Sequence, residues 1–496
     1  MAIVLSIDAG TTGVRALAVD ETGTPVGWSY REFPQYFPRP GWVEHDAEEI
    51  WDAVRTTIAE LLPTLDGPVA AIGITDQRET VVAWDRRTGE PRHRAIVWQD
   101  RRTAERCTAL LDAGHLDLVR HRTGLVLDPY FSATKLCWLV EEGGVAADEH
   151  LAVGTVDSWL VWKLTDGAVH TTDTSNASRT LLFDIRSLDW SDELVELFGV
   201  PRHALPEVRP SSGRLGVTAD TTALGAGIPI SGIAGDQQAA LFGQACIRPG
   251  MTKNTYGTGS FVLMNVGGTC PDPVEGLLTT VAWTIPGPDG SPLTHYALEG
   301  AIFVTGAAVQ WLRDGLGILG SADELEGLAL QCESTDGVVF VPAFTGLGSP
   351  WWDPHARGTI VGITRGTGRP QIARAVIEAM VHQTRDVVDA MSAASGHRVE
   401  ALRVDGGASA MDLMLQLQAD QLGVPVARAR YQETTALGAA YLAGLAEGVW
   451  SDPADIEARW ASDLECKPDG DRAALDADHH QWHRAVDRSR GWSAED

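Results

Sequence analysis

Gly232 to Phe261, in the middle of the chain, constrains the fold more than any other stretch; it reads GIAGDQQAALFGQACIRPGMTKNTYGTGSF. The apolar run Ile230–Ala234, bounded by Pro229 and Gly235, reads as a buried strand. It delivers a carboxylate, Asp236, flanked by Gly235 and the amides Gln237 and Gln238, and Ala239–Cys246 then reads as a helix. After Pro249-Gly250, Asn254 to Phe261 spells strand, tight turn, strand. Thr258, between Gly257 and Gly259, offers backbone N–H groups and a hydroxyl at one point, which suits a phosphate. A carboxylate able to take a proton therefore lies close in sequence to a loop able to hold a phosphoryl group. That points to phosphoryl transfer to a hydroxyl, although a strand-end aspartate capping a helix and an ordinary hairpin would use the same residues.

The N-terminus repeats the device. Ala2–Ile7 reads as a strand ending in Asp8, followed by the turn Ala9-Gly10-Thr11-Thr12-Gly13 and a second strand, Val14–Val19. An acid in that place can hold a hydrated magnesium ion, the turn amides can face phosphate oxygens, and Arg15 adds a cation. A plain hairpin fits as well. Val69–Ile74 is a further strand, ending in Thr75-Asp76-Gln77-Arg78-Glu79, and Ala95–Trp98 another. Ala401–Val404 ends in Asp405-Gly406-Gly407, a turn with so little side-chain bulk that a nucleotide could approach its backbone. Strand ends of this kind form the ligand site of open α/β sheets. Arg78 and Glu79 set a donor fork beside an acceptor, which suits a polyol hydroxyl or makes a surface ion pair of little worth. Trp98 and Tyr130 can wall a small pocket or serve as core aromatics.

Helices are expected after Asp46, with Glu49 closing a capping box, over Lys135–Glu142, and around Gly306–Leu312, where Gly306 and Gln310 share a face. Others are Gln371–Ser395, closed by Gly396, then Leu413–Leu422 and Leu437–Leu445. Val338–Phe344 reads as a strand, and the charged tail beyond Gly470 as peripheral to the site. No lysine sits in a GxxxxGK[ST] pattern and no strand runs into GxGxxG, so neither a P-loop nor the main dinucleotide signal is present. The phosphate devices are hairpins, one per half. Two such halves suggest a duplicated α/β ATPase fold, with domains 1–246 and 247–496 and nucleotide in the cleft between them.

The 496 residues are long enough for two or three domains, and the net charge of -28 argues against nucleic acid or an anionic membrane surface as a partner. No apolar run approaches a membrane span. The six cysteines form no CxxC pair and read as reduced thiols of a cytoplasmic protein.

Several stretches together resemble the FGGY carbohydrate kinases, which share the actin and sugar-kinase ATPase fold, and the resemblance implies two duplicated actin-like (ribonuclease-H-like) α/β domains. The stretches are IDAGTTG (Ile7–Gly13), GITDQRET (Gly73–Thr80), IVWQDRRT (Ile96–Thr103), DPYFSATKLCWL (Asp128–Leu139), KNTYGTGSF (Lys253–Phe261), VPAFTGLGSPWWDP (Val341–Pro354) and ALRVDGG (Ala401–Gly407). The resemblance implies a homo-oligomeric, magnesium-dependent enzyme that phosphorylates glycerol with ATP, with a kinase for another small polyol or sugar as the alternative and an actin-like switch ATPase as a remote one. It implies that Arg78, Glu79, Tyr130, Asp236 and Gln237 hold the glycerol hydroxyls, that Trp98 and Phe261 pack on its carbons, and that Asp236 is the general base. It implies that Thr11, Thr12, Gly13, Gly257 and Thr258 meet phosphates, with Arg15 nearby, that Gly306, Gln310 and Gly407 line the adenosine side, and that Asp8 and Asp236 hold magnesium. One position departs from the pattern: Met411 stands where members usually carry Asn, which removes one hydrogen bond to the nucleotide. Several bacterial members are inhibited by a fructose bisphosphate bound at an arginine in a glycine-rich loop. Here that position is Gly227 of the loop Thr221–Gly227, and no Lys, Arg or His lies between Arg214 and Arg248, so the resemblance implies insensitivity.

Overall fold

A computed structural model of the chain describes residues 2–287 and 289–494. Two mixed sheets organise it. The first has six strands in the order Ser212–Val217, Pro229–Gly235, Val69–Asp76, Ile3–Ala9, Gly13–Asp20, Pro25–Glu32. Its three central strands run parallel and the flanking ones antiparallel. The second has seven strands in the order Leu278–Pro286, Pro292–Ile302, Ser260–Gly267, Thr252–Tyr256, Leu402–Gly406, Val426–Ala429, Ser462–Cys466. Read outward from the hairpin, its directions repeat those of the first sheet, with Leu278–Pro286 added at one edge. The duplication expected from two hairpins is thus present strand by strand. The central strands are buried on both faces, which is why Ile3–Ala9 is apolar almost throughout rather than alternating.

The two halves in sequence are interleaved in space. The helix Thr434–Ala446, from the second half, lies across the first sheet and against the helix Asp236–Gly243. It is apolar on all sides because all of its sides are covered. The approach is backbone to backbone. A Cβ at Gly438 would stand 1.8 Å from the Ala239 carbonyl oxygen, and one at Gly243 1.9 Å from that of Thr434. Gly73 and Gly232 make room for the same helix on the sheet. The helix that begins at Asp236 is therefore fixed by contacts more than 190 residues downstream.

Several local expectations shift. The Asp236 helix starts at Asp236 itself, three residues earlier than the apolar run suggested, because Asp236 accepts from the free Gln237 amide (2.7 Å) in the first turn. Asp46 caps its helix through the Glu48 amide, but Glu49 accepts from the Tyr36 hydroxyl (2.8 Å) instead of closing a capping box. The expected strand Val338–Phe344 is limited to Val339–Val341, ahead of Pro342, which has no N–H to pair. Only Ala95–Ile96 of the next expected strand is extended and paired. The charged tail folds into the helix Arg472–Ser489, buried along one stripe. Among the described residues no helix is long and apolar enough to cross a membrane, and all six cysteines are free thiols.

Gly438→Ala puts a methyl group into the Ala239 carbonyl with no flexible side chain to give way. The substitution should cost at least about 2 kcal/mol of stability by urea unfolding, against the roughly 0.5–1 kcal/mol gained at an open helical glycine. An unchanged unfolding midpoint would show that the two helices are not clamped there.

Candidate active site

Three carboxylates converge from adjacent parallel strands. Ala9 pairs with Asp76 and Asp76 with Gly235, so Asp8, Asp76 and Asp236 lie at the same end of the first sheet. The echo between GITDQ and GIAGDQ is therefore a spatial one: the two strands are neighbours, with Ile74 beside Ile233. Asp76 is fully buried, bonded by Asn176 (3.0 Å) and the Asp157 amide (3.3 Å). Asp236 keeps about a third of its side chain accessible, and Arg78 Nε stands 3.2 Å from its Oδ1. Burial raises the Asp236 carboxyl above the usual carboxylate range, and Arg78 and Lys253 pull it back. Burial pushes the Asp8 carboxyl up to about 7; Arg15 works against that shift and Asp236 adds to it.

The first hairpin is braced from below. Gln77 donates to the Ala9 carbonyl through its amide (2.9 Å) and to that of Gly10 through its side chain (3.0 Å). Trp98 Nε1 donates to the Thr11 hydroxyl (2.9 Å), and Thr12 is exposed beside the Tyr30 hydroxyl. Gly13 lies where a Cβ would strike the Arg31 carbonyl. Arg15 is paired with Glu433 from the second half and faces the Trp28 and Tyr30 rings. The second hairpin is tied to the helix Gly306–Gln310: Gly306 donates to the Gly257 carbonyl (3.0 Å), and Thr305 and Ala307 to that of Thr258. Gly406, at φ +85°, lies against the Tyr256 carbonyl, where a Cβ would be 2.4 Å away. Gly257, Thr258, Gln310 and Gly407 are exposed at this one end of the second sheet. Met411 instead packs partly buried on the apolar core of that half.

The pocket residues Arg78, Glu79, Trp98, Tyr130, Gln237 and Phe261 are also brought together. Trp98 and Tyr130 meet edge to face at 5.6 Å, and the Arg78 guanidinium lies 5.7 Å from the Phe261 ring. Arg78 and Glu79, however, are almost wholly buried and engaged within the protein. Arg78 donates to Glu299 (2.5 Å), Gln238 and the Tyr130 hydroxyl (both 3.2 Å). Arg179 joins Glu79 (2.7 Å) to Glu299 (2.8 Å), and its Nη1 has no partner. Burial works against ionising Glu299, but Arg179 and Arg78 outweigh it and hold the carboxyl at about 2. Glu79 adopts φ +64°, a left-handed conformation that a long side chain keeps only when its surroundings impose it.

Three members of this constellation escaped the sequence reading: Arg179, Glu299 and Lys253. Lys253 Nζ is buried and bonds Gln237 Oε1 (2.6 Å), the Thr255 hydroxyl (2.9 Å) and the Phe261 carbonyl (3.3 Å), joining the two halves beside Asp236. Burial lowers its ammonium to about 8, with Asp405 and Asp236 opposing. A lone Glu inside the apolar strand Pro292–Ile302 was the one available signal, since a buried charge requires a partner.

Models of the FGGY family of carbohydrate kinases match the chain, the N-terminal domain over residues 3–243 and the C-terminal domain over residues 252–447. A glycerol kinase of Bordetella parapertussis is 52% identical over 99% of the chain and 97% of its own length. Glycerol kinase 2 of Thermotoga maritima is 53% identical over 99% of both. Among solved structures, a Plasmodium falciparum glycerol kinase with ADP superposes with a TM-score of 0.93 at 34% identity, over 99% of this chain and 98% of that one.

The position of Asp8 carries a pH signature. Its carboxyl holds a proton to about pH 7 when folded and ionises near pH 3.8 when free, so its burial costs stability progressively between those values. Asp8→Asn mimics the protonated acid. Without divalent cations, urea unfolding should show the substitution stabilising the chain by on the order of a few kcal/mol above about pH 8 and by less near about pH 5. An identical effect at both pH values would place the Asp8 carboxylate in free contact with solvent.

Proposed function

The chain belongs to the FGGY family of carbohydrate kinases, and we infer that it transfers the γ-phosphoryl group of ATP to a primary hydroxyl of glycerol, giving glycerol 3-phosphate and ADP. The observation that carries this reading is the partly accessible Asp236 carboxylate, in contact with Arg78 and tied through Gln237 and Lys253 to the second sheet, with a glycine-threonine hairpin in each sheet. The extent of the likeness to glycerol kinases supports the choice of substrate.

In this reading the glycerol oxygen attacks the γ-phosphorus, the bond to the β–γ bridging oxygen breaks, and ADP leaves with that oxygen. Asp236 takes the hydroxyl proton. A carboxyl raised by burial is a better proton acceptor than an exposed one, and Arg78 and Lys253 keep it from becoming a permanent acid. Gln237 and Tyr130 orient the hydroxyls together with Arg78 and Glu79, which exchange part of their mutual contacts for substrate. Trp98 and Phe261 cover the carbon backbone. Thr11, Thr12 and Gly13 on one wall, with Gly257 and Thr258 on the other, offer N–H and hydroxyl donors to the phosphates, and Arg15 adds positive potential from behind. Gly306, Gln310 and Gly407 line the adenosine side, and Met411, seated on the apolar core behind them, offers the nucleotide no hydrogen bond. The carboxylates of Asp8 and Asp236, at the same end of the first sheet, offer hard oxygen donors of the kind that suits magnesium, which would offset charge on the phosphates.

The test is a panel of polyols and sugars with Mg-ATP, scored by ADP release and by phosphorylated product. Glycerol should be the preferred acceptor by kcat/KM, and Asp236→Asn should lower kcat by about 10²–10⁴-fold with unchanged folding. Glycerol-independent ATP hydrolysis, or a preference for a five- or six-carbon sugar, would overturn the reading.

Regulation by a fructose bisphosphate is not expected. The Gly225 and Gly227 amides, the donors such a ligand would need, are already bonded to the carbonyls of Thr222 (3.1 Å) and Thr218 (2.8 Å). The adjoining groove is lined by Asp52, Glu60 and Asp220 with Arg55 as its single cation. Titrating the bisphosphate at low ionic strength, where polyanion binding is strongest, should leave the initial rate unchanged. Saturable inhibition relieved by salt would contradict this.

A further inference from the structure

The last helix, Arg472–Ser489, docks on the long helix Arg369–Ser395 through a cluster of imidazoles that takes no part in phosphoryl transfer. Each helix presents two donors one turn apart: His382 and Asp386 on the first, His479 and His483 on the second. His479 Nε2 and His483 Nε2 converge on Asp386 Oδ1 at 2.7 and 2.8 Å. The other carboxylate oxygen, Oδ2, accepts from the Trp482 indole N–H at 2.7 Å, which fixes the carboxylate so that Oδ1 alone faces the imidazoles. The two imidazole rings lie 4.4 Å apart. His382 stacks on His479 and Trp482, and its buried Nδ1 has no hydrogen-bond partner.

We propose that Asp386, His479 and His483 form a binding site for a divalent cation of the zinc class, which clamps the last helix to the long helix. Three features of the geometry support it. The donor set, two imidazole nitrogens and one carboxylate oxygen with no thiolate, is one that zinc takes with a fourth position left open. The three donor atoms already lie within 4.8 Å of one another. With metal–ligand bonds of about 2.0–2.2 Å, tetrahedral ligands stand roughly 3.3 Å apart, so loading requires the imidazoles to withdraw from Asp386 by only about half an ångström. The indole bond to Oδ2 is the kind of outer contact that orients a ligating carboxylate. Access is one-sided: Asp386 is buried, while the His483 side chain is 42% exposed and opens the site to water. Magnesium, which prefers oxygen donors, does not match this set.

The experiment uses the full chain, stripped with a chelator and titrated with zinc chloride by calorimetry, with cobalt(II) as a spectroscopic probe. One equivalent of zinc should bind, cobalt should give the visible bands of a low-coordinate nitrogen and oxygen site, and thermal unfolding should shift upward with zinc. His483→Gln, at the most exposed ligand, should fold normally, weaken zinc binding by at least about tenfold and lose the zinc-dependent shift. His480→Gln, an exposed neighbour outside the cluster, should behave as the parent chain. Failure of the parent chain to bind zinc, or unaltered binding in both His483→Gln and His479→Gln, would overturn the proposal.

Discussion

The structure depends on a closed ring of buried charge. Arg78 and Glu79 come from the end of one strand of the first sheet, Arg179 from a turn of the same half, and Glu299 from the middle of a strand of the second sheet. None of the four has meaningful contact with solvent. Each ion by itself would be several kcal/mol too costly to bury, and such a set persists only when all members are present and well bonded. Two cations against two anions make the ring neutral, and Asp236 joins it through Arg78 as a third anion. The Asp236 carboxylate is therefore placed by electrostatics that reach across both halves, not by the hairpin next to it in sequence.

Backbone contact supplies the second constraint. Charges can hold Asp236 in register only if its helix does not slide, and the glycine-to-carbonyl approaches at Gly243 and Gly438 leave that helix little freedom. Lys253 adds a polar tie to the same place, from the second sheet to Gln237. Packing, hydrogen bonding and ion pairing thus fix one short helix from three sides. That rigidity suits the proposed role of Asp236, since a group that accepts a proton from a phosphoryl acceptor must be held at a fixed distance from it.

What could be read from the sequence was what is local. A strand ending in an acid, a glycine-threonine turn, and a helix closed by Gly396 each place their own backbone, and the structure contains all of them. The partners were not legible. Nothing around Arg179 distinguishes it from a surface arginine, and its two anions lie 100 and 120 residues away. By sequence Arg78 and Glu79 suit a polyol hydroxyl or a surface ion pair; that both are buried and bonded to Glu299 and Arg179 is not legible there, because the sequence shows adjacency along the chain but not burial. Glu49 shows the same limit at small scale: the spacing of a capping box was present, and a tyrosine on another segment took the carboxylate. The tail helix was missed because its apolar stripe is interrupted by His479 and His483, whose polarity is matched only by Asp386 on a different helix.

Three carboxylates lie at one sheet end, and their surroundings differ in ways that bear on the proposed role of Asp236 as the base. Asp76 is sealed from the cleft, with its oxygens occupied by Asn176 and a backbone amide; burial and the nearby Asp157 and Asp236 raise its carboxyl well above the usual range. It is too enclosed to meet a substrate hydroxyl. Asp8 is partly buried at the root of the first hairpin, and the nearby Arg15, which it shares with Glu433, does not outweigh the effect of burial on its carboxyl. Asp236 combines partial access, direct contact with the buried Arg78, and the neighbouring Gln237, whose side chain is held by Lys253. A base must be ionised before it can act, and the arginine in contact with Asp236 favours its ionised form, which suits it to the proposed role.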